Sequence, residues 1–264
     1  MPARPAFPSK WGLRLLEPIT HGGPNQLWRA QSTGLGAVVV KAVEADDEMP
    51  GVDFLRRLDG CGAVRVFDVS GRLALMEYLP GEALGDMVRG GRDSAATAHL
   101  ADTVIRMRSC AVSGTGLKPL AAHVDQVFTL GLDAVPREAV EIARALLDSA
   151  PEPVPLHGDL HHDNVIWAPR GWLAIDAKGL IGDPACETAN AFRNPVGAEA
   201  LVQAPARILE MADIFAARLG LNRQRLLDWA VAQCAIAMAW SHASGGDSAS
   251  DKALLPVLMQ ARAA

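Results

Sequence analysis

The sequence HGDLHHDN occupies residues 157–164 and runs directly into VIWAPRGWLAID, residues 165–176. Two apolar runs, Val165–Trp167 and Trp172–Ile175, flank a turn of proline and glycine at 168–171. Apolar runs on either side of such a turn are typical of paired antiparallel strands. The stretch therefore predicts a β-hairpin entered by a polar loop.

Three polar residues are brought together by this hairpin. Counting back from the turn places Asn164 and Asp176 opposite one another, to within a single register step. Directly opposed positions on antiparallel strands lie about 4.5–5.5 Å apart, and hard oxygen ligands suit Mg²⁺. Asp159, on the entering loop, is free to face a second molecule. Phosphoryl transfer from a nucleotide needs these parts, a carboxylate for the acceptor hydroxyl and oxygens for magnesium.

The hydrophobic pattern changes near residue 80. Before it, short alternating or β-branched runs recur between turns, at Trp11–Leu16, Gln26–Gln31, Ala37–Val43, Ala63–Val69 and Arg72–Tyr78, with a helical segment around Asp53–Leu58. After it, alanine and leucine at helical spacing dominate Ser94–Met107, Arg137–Leu147, Leu201–Leu219 and Arg223–Trp240. We therefore expect a small antiparallel sheet with one helix, followed by a helical lobe.

Composition disfavours several classes of protein. The 264 residues are 50% hydrophobic, enough for two lobes with a buried core. Lys and Arg number 25 against 30 Asp and Glu, a net charge of -5, and form no basic run, so we expect no nucleic-acid partner. No stretch is long and apolar enough to span a membrane, so we expect no membrane partner and a cytoplasmic protein.

The cysteine spacing also fits a cytoplasmic protein. Cys61, Cys110, Cys186 and Cys234 are far apart, and none belongs to a CxxC pair. The spacing therefore predicts neither a disulfide framework nor a thiolate zinc site, and a reducing compartment fits best.

A family resemblance rests on the same stretch. The H-x-D-L-x-x-x-N spacing that begins at His157 is that of the protein-kinase catalytic loop, although Gly158 replaces the usual arginine and Ala-Lys-Gly, rather than Phe-Gly, follows Asp176. Residues 157–195 closely resemble the aminoglycoside and hydroxyurea antibiotic-resistance kinases, the family of streptomycin 6-phosphotransferase. Weaker similarity extends through Trp11-Gly12-Leu13, the Val-Val-Lys strand and Leu58-Asp59-Gly60.

This resemblance implies an α+β, two-lobed protein-kinase-like fold with ATP in the cleft. A β-rich nucleotide-binding lobe would span residues 1–79, and a helical lobe with the catalytic loop and acceptor site would span 80–264. The implied activity is ATP-dependent phosphorylation of a hydroxyl group on a small polar molecule, with ATP and Mg²⁺ as cofactors. Streptomycin, hydroxyurea, an amino alcohol and an unknown metabolite all stay open as acceptors.

The resemblance also assigns catalytic roles. Asp159 would be the catalytic base, and Asn164 and Asp176 would hold magnesium. Lys41, on the third strand, would contact the α and β phosphates, as the lysine of a VAIK-type strand does.

Nucleotide contacts in the small lobe are implied by position. Backbone groups of Glu77, Tyr78 and Leu79 would face adenine, since the lobes join there. Gly22 and Gly23 would form a phosphate cradle, weaker than a GxGxxG loop because the following proline has no N–H to donate.

One family feature is missing. A glutamate on the helix of the small lobe normally pairs with the lysine, and at its place this sequence has Gly51. Glu48 and Asp53 are the candidate substitutes. The missing glutamate motivates an alternative, a nucleotide-binding regulatory protein without turnover.

Neighbouring polar residues receive supporting roles. His157 would brace the loop by hydrogen bonding, and Asp183 would either cap the following helix or, as we favour, tie down the catalytic loop. Asp163 and Glu187 would contact the substrate, since the carboxylates of this region together favour a cationic acceptor. A second alternative, a zinc hydrolase, would use His157, His161 and His162.

Overall fold

The computed structural model describes residues 5–19, 25–110, 112–130 and 135–264. An antiparallel sheet forms the small lobe, with strand order β1-β2-β3-β5-β4. Its strands are β1 Leu13–Ile19, β2 Gln26–Ser32, β3 Gly36–Ala42, β4 Val66–Ser70 and β5 Leu73–Glu77. Helix α1, Met49–Leu58, connects β3 to β4. The predicted antiparallel sheet with its helix is therefore confirmed.

Strand β3 separates the core of the small lobe from the space between the lobes. Val38 and Val40 are fully buried in an apolar cluster with Trp28. Because successive side chains of a strand point to opposite faces, Val39 and Lys41 lie on the other face and line a cleft. The alternation of side chains along β3 thus places Lys41 in the cleft.

Helices build the larger lobe. They are α2 Leu84–Arg89, α3 Asp93–Arg108, α4 Leu120–Leu130, α5 Arg137–Asp148, α6 Glu199–Val202, α7 Pro205–Leu219, α8 Arg223–Ala243 and α9 Ala249–Arg262. Helix α8 is buried almost all round and packs against α4, α5, α7 and α9. Its many alanines let these neighbours approach closely. Among the described helices, none has the length and apolar character of a membrane span.

The predicted hairpin interrupts the helical lobe. Strands β8, Val165–Ala168, and β9, Gly171–Ala174, are antiparallel, with Val165 opposite Ala174. One step further along, the backbone N–H of Ile175 donates to the carbonyl oxygen of Asn164 at 2.9 Å. Asp176 therefore lies one register step from Asn164, as the sequence predicts. The remaining short strands β6 Lys118–Pro119, β7 Val154–Leu156 and β10 Leu180–Gly182 form a separate small sheet.

The turn of the hairpin fastens the two lobes together. Arg170 donates to the carbonyl oxygen of Ala63 at 2.8 Å and to the carbonyl oxygen of Gly60, both in the loop after α1. It also forms an ion pair with Glu77 at the end of β5. Since the sheet ends there and α2 begins only at Leu84, we propose the lobe boundary between residues 79 and 80.

A disulfide bond joins Cys61 to Cys110, which the cysteine spacing did not predict. The two residues are 49 positions apart, a spacing without a recognisable motif. The fold brings the C-terminal end of α3 against the loop after α1, where the Cα atoms of the two cysteines are 6.5 Å apart. Cys186 and Cys234 are free and buried. The cysteines therefore no longer favour a reducing compartment.

Reduction of this disulfide should lower the melting temperature. A cross-link that closes a loop of 49 residues stabilises the folded chain by up to about 4 kcal/mol in the chain-entropy account. Scanning calorimetry with and without a phosphine reductant measures the shift. A Cys61→Ser, Cys110→Ser double variant should show the lower melting temperature in both conditions. A bond-free protein would instead melt at one temperature in both buffers and expose two alkylatable thiols before reduction.

Candidate active site

A cleft of about 450 Å³ lies between the sheet of the small lobe and the β8–β9 hairpin. Apolar side chains from both lobes form most of its lining, namely Ile19, Leu27, Val39, Val64, Met76, Leu79, Ile166 and Ile175. The polar side chains that share the cleft include Lys41, Asp163, Asn164 and Asp176. Apolar walls with a few convergent polar groups are typical of a small-molecule site.

Lys41 and Asp176 form an ion pair across the cleft. Lys41 is 8% exposed, whereas about half of the Asp176 side chain is open to solvent. Burial alone would raise the pKa of Asp176, but the positive groups around it, chiefly the Lys41 ammonium, together outweigh burial, and the pKa lies below its usual value. Asp176 also has a left-handed backbone, with φ of 61°, which is uncommon for a residue with a side chain. The carboxylate is thus held ionised on a constrained turn.

Asp159 is held by neighbours on both carboxylate oxygens. The side-chain amide of Asn190 donates to Oδ1 at 2.7 Å, and Lys178 Nζ lies 3.4 Å from Oδ2. Arg193 in turn donates to the amide oxygen of Asn190 at 2.8 Å, which fixes the orientation of that amide. Asn164 donates its amide nitrogen to the backbone carbonyl of Asp159 at 3.0 Å, which leaves its amide oxygen for a cation. Asp159, Asn164 and Asp176 therefore belong to one connected site.

Asn190 and Lys178 are site residues that the sequence interpretation missed. Asn190 lies on a 3-10 helix, Pro184–Arg193, and nothing in its local pattern singles it out. Lys178 stands in the Ala-Lys-Gly that follows Asp176, where the departure from Phe-Gly was a usable signal. Burial alone would lower the pKa of Lys178, but the carboxylates of Asp159 and Asp176 raise it.

His157 connects the catalytic loop to the hairpin. Its ring is fully buried, and Nε2 lies 2.7 Å from the carbonyl oxygen of Ile175, the residue before Asp176. Nδ1 accepts the backbone N–H of Asp159 at 3.3 Å. This pattern requires the proton on Nε2, because Nδ1 serves as acceptor. The ring contacts are those expected of a bracing side chain.

Glu187 does not face a substrate, which corrects the sequence assignment. It is 3% exposed, and its two oxygens accept the backbone N–H groups of His157 at 3.0 Å and Gly158 at 3.2 Å. Both oxygens are thus occupied by the first residues of the catalytic loop. Its role is to hold the loop, because a buried carboxylate with both oxygens engaged cannot receive an acceptor molecule.

Glu187→Gln should destabilise the protein. The amide keeps one acceptor oxygen but presents NH₂ to the other N–H group, and a buried donor left unsatisfied costs about 1–3 kcal/mol. Chemical denaturation gives the free energy of unfolding, with the exposed Glu152→Gln as the matched control. Equal stability of Glu187→Gln and Glu152→Gln would contradict this role.

Asp183 caps a helix instead of tying down the catalytic loop, the role we favoured from sequence. One oxygen accepts the backbone N–H of Ala185 at 2.9 Å, at the start of the 3-10 helix. The other accepts from Arg225 and from the indole N–H of Trp229, both at 2.5 Å. Asp183 therefore anchors that helix to α8, and the capping alternative is the correct one.

Asp163 lines the cleft but is paired. Arg89 of α2 donates to its carboxylate at 2.8 Å, and the Asp163 side chain is 28% exposed. Lys41 pairs with Asp176 in the same way, and Lys178 with Asp159. The negative field expected from the carboxylates is therefore largely cancelled, and charge alone no longer selects a cationic acceptor.

The histidines of the zinc alternative share no common partner, and neither ring nitrogen of His162 is hydrogen-bonded within the described part of the chain. Besides the contacts of His157, His161 accepts the backbone N–H of Asp163 at 3.3 Å. His162 is fully buried, and burial holds its pKa well below the usual value. Within the part of the chain that the structure describes, no group of three or more His, Cys, Asp or Glu side chains could hold a metal ion. The geometry gives the zinc hydrolase no support.

Gly51 explains why the small-lobe glutamate is missing. A Cβ atom at Gly51 would lie 1.7 Å from the carbonyl oxygen of Ala177, so the backbone of α1 packs directly on the segment after Asp176. Neither candidate substitute pairs with Lys41, because Asp53 pairs with Arg56 and Arg57. Glu48 accepts instead from the amide of Asn25. Asp176 takes the place of the missing partner of Lys41.

The expected adenine-facing segment also lines the cleft. Glu77, Tyr78 and Leu79 all contribute to its lining. The carboxylate of Glu77 is committed to Arg170, and the Tyr78 ring lies beneath the guanidinium of Arg29 at 4.5 Å. Gly22 and Gly23 fall outside the described residues.

Comparison with known proteins identifies the family of this chain. Residues 13–245 match the family described as aminoglycoside/hydroxyurea antibiotic resistance kinase. The chain belongs to this family. This kinase is 36% identical to a streptomycin 3''-kinase of Klebsiella pneumoniae over 210 residues, 76% of this chain and 79% of the relative. It is 29% identical to a hydroxyurea phosphotransferase of Kitasatospora aureofaciens over 261 residues, 93% and 74% of the two chains. The resemblance noted from sequence is confirmed, and the enzyme is a phosphotransferase.

Solved structures confirm the kinase-like fold. Aminoglycoside phosphotransferase APH(4)-Ia, in a ternary complex with ADP and hygromycin B, gives a TM-score of 0.66 at 15% identity, covering 95% of this kinase and 96% of that chain. A choline kinase from Cryptosporidium parvum Iowa II gives a TM-score of 0.61 at 12% identity, covering 96% and 89%. The two-lobed architecture predicted from sequence is the one these proteins share.

Proposed function

We propose that this kinase transfers the γ-phosphoryl group of ATP to a hydroxyl group of streptomycin or a closely similar aminoglycoside. The observation that carries the proposal is that Lys41, Asn164 and Asp176 line one cleft, while Asn164 is hydrogen-bonded to the backbone of Asp159. These are the base, the metal ligands and the phosphate-binding cation that phosphoryl transfer requires.

Asp159 receives the acceptor. Its Oδ1 already accepts the amide of Asn190, so we assign Oδ2 as the atom that accepts the hydroxyl proton. The partner at Oδ2, Lys178, lies at 3.4 Å, longer than a tight charge-assisted hydrogen bond and therefore easier to displace. His157 and Glu187 hold the loop so that the Asp159 carboxylate keeps this position.

The donor set of the cleft fits Mg²⁺. Asn164 offers an amide oxygen and Asp176 a carboxylate that Lys41 keeps ionised, and both line the same cleft. Mg²⁺ bound there would neutralise phosphate charge. Lys41 is buried at its stem, and among the described residues its ion-pair partner is the accessible Asp176, so it is the cation we assign to the α and β phosphates.

The relatives support the choice of acceptor. The 36% identical relative is a streptomycin 3''-kinase, and a 27% identical one from Streptomyces glaucescens is a streptomycin 6-kinase. We therefore propose streptomycin as the first acceptor to test, with hydroxyurea second because of the hydroxyurea phosphotransferase. Asp163, partly exposed in the cleft, is the carboxylate we propose to face the substrate. Dependence on ATP favours the cytoplasm as the place of action.

An acceptor panel tests this proposal. Purified enzyme is incubated with ATP, Mg²⁺ and one of streptomycin, hygromycin B, hydroxyurea or choline, and the acceptor is examined by mass spectrometry for one added phosphate. We expect phosphorylated streptomycin and ADP in equal amounts. Transfer to choline or hydroxyurea alone would overturn the acceptor class, and no transfer to any acceptor would overturn the proposed activity.

A further inference from the structure

A cation stands on the acceptor side of Asp159, and the roles given so far do not use it. Lys178 Nζ lies 3.4 Å from Oδ2 of Asp159, the oxygen left for the acceptor hydroxyl. The Lys178 side chain is 43% exposed, so it is accessible to solvent and is not sealed in the core.

The backbone of Lys178 is fixed from two directions. Its N–H donates to the carbonyl oxygen of His157 at 2.8 Å, and the N–H of Gly179 donates to the same oxygen at 3.2 Å. On the other side, a Cβ atom at Gly179 would lie 2.3 Å from the carbonyl oxygen of Pro50 in α1. The segment is therefore clamped between the catalytic loop and α1, and only the Lys178 side chain is left to move.

Three other basic side chains of this region form ion pairs with different carboxylates. Lys41 pairs with Asp176, and Arg89 pairs with Asp163. Arg193, which orients Asn190, forms an ion pair with Asp251. Among the residues that the structure describes, Lys178 is the cation paired with Oδ2 of Asp159, the oxygen assigned to the acceptor proton.

We propose that Lys178 is a catalytic residue that contacts the transferring phosphoryl group, an inference that rests on the proposed function. In the reaction the acceptor oxygen forms a bond to the γ-phosphorus, while the bond from that phosphorus to the β–γ bridging oxygen breaks and its electron pair leaves on ADP. The hydroxyl proton passes to Asp159 Oδ2. The oxygen that gives up this proton is the attacking one, so a cation beside Oδ2 is also beside the incoming phosphoryl group.

The order in which charge shifts during the reaction favours this role of Lys178. As Asp159 takes the proton, its attraction for the Lys178 ammonium falls. Negative charge is then spread over the equatorial oxygens of the transferring group, where a mobile ammonium can follow it. Interactions that are stronger in the transition state than in the ground state raise kcat and leave substrate affinity nearly unchanged.

The test compares Lys178→Met with wild type, with Lys178→Arg as the conservative variant and the exposed Lys252→Met as the control. We expect kcat for streptomycin phosphorylation to fall by about 10²-fold or more in Lys178→Met, the loss typical of one transition-state donor. The KM for ATP should stay close to that of wild type. Lys178→Arg should recover part of the rate, because the charge is kept but its geometry changes.

A binding measurement separates a catalytic lysine from a structural one. Calorimetry with ADP, Mg²⁺, aluminium fluoride and streptomycin reports affinity for a mimic of the transferring phosphoryl group, and ATP with Mg²⁺ alone reports the ground state. Lys178→Met should lose affinity for the mimic by about the same factor as kcat, with ATP affinity unchanged.

Four outcomes would overturn the inference. If Lys178→Met binds the mimic as tightly as wild type, or weakens ATP by the same factor, Lys178 is a counter-ion or a nucleotide contact only. If wild type transfers no phosphate to any acceptor, the proposed function fails and takes the inference with it. If wild type is active and Lys178→Met is equally active, the inference about Lys178 fails while the proposed function stands.

Discussion

Asp159→Asn should lower kcat for phosphoryl transfer by about 10²–10⁴-fold, the range for loss of a general base. The amide keeps the shape of the side chain but cannot accept the hydroxyl proton. It also loses the ion pair with Lys178, whereas the contact of one side-chain oxygen with Asn190 is retained. Nucleotide affinity should be unaffected, because Asp159 contacts neither Lys41 nor Asp176 in the structure.

Steady-state turnover and calorimetric titration with ATP and Mg²⁺ measure the two quantities. Asp148→Asn, an exposed change at the end of α5, is the matched control and should behave as wild type. Turnover of Asp159→Asn equal to that of the control would remove Asp159 from its role as base.

Asp176→Asn should affect nucleotide binding as well as turnover. It removes the carboxylate proposed for magnesium and leaves Lys41, with only 10% of its side chain exposed, without its ion-pair partner. Metal stabilisation of transition-state charge is worth several kcal/mol, so we expect kcat to fall by about 10³-fold or more.

Magnesium dependence distinguishes this variant from Asp159→Asn. Wild-type affinity for ATP should rise steeply with added Mg²⁺, whereas that of Asp176→Asn should respond little. Asp159→Asn should keep the wild-type response. If Asp176→Asn shows the same increase with Mg²⁺ as wild type, the carboxylate is not a metal ligand.

The adjacency of Asn164 and Asp176 could be predicted from sequence because it is local. The alternation of the hairpin and its Pro-Gly turn fix the register, so Asn164 and Asp176 are adjacent whatever surrounds them. The two-residue period of β3 likewise sends Lys41 to the face opposite Val38 and Val40. Pattern arguments work where covalent connection and one backbone geometry decide the outcome.

Residues whose partners come from distant parts of the chain could not be predicted in this way. Glu187 and Asp183 are both acidic residues near a helix start, yet one holds the catalytic loop and the other binds α8. The Cys61–Cys110 bond depends on how α3 crosses the loop after α1. Helix α4 also escaped prediction, since it has no acidic residue in its first turn and no basic residue in its last.

Gly51 stands where the family has a glutamate, and from sequence alone this replacement looks like the loss of a functional residue. Seen as a missing glutamate, it implied a weakened or inactive enzyme. In the structure the absence of a side chain lets α1 contact the backbone at Ala177 and helps to position the segment that carries Lys178. The partner of Lys41 is then Asp176 itself.

A crystal structure with a non-hydrolysable ATP analogue, Mg²⁺ and streptomycin tests the account most directly. We predict one streptomycin hydroxyl within hydrogen-bonding distance of Asp159 Oδ2, a magnesium ion bound by Asn164 and Asp176, and Lys41 turned from Asp176 to the phosphates. A metal ion bound away from Asn164 and Asp176, or an acceptor hydroxyl out of reach of Asp159, would contradict it.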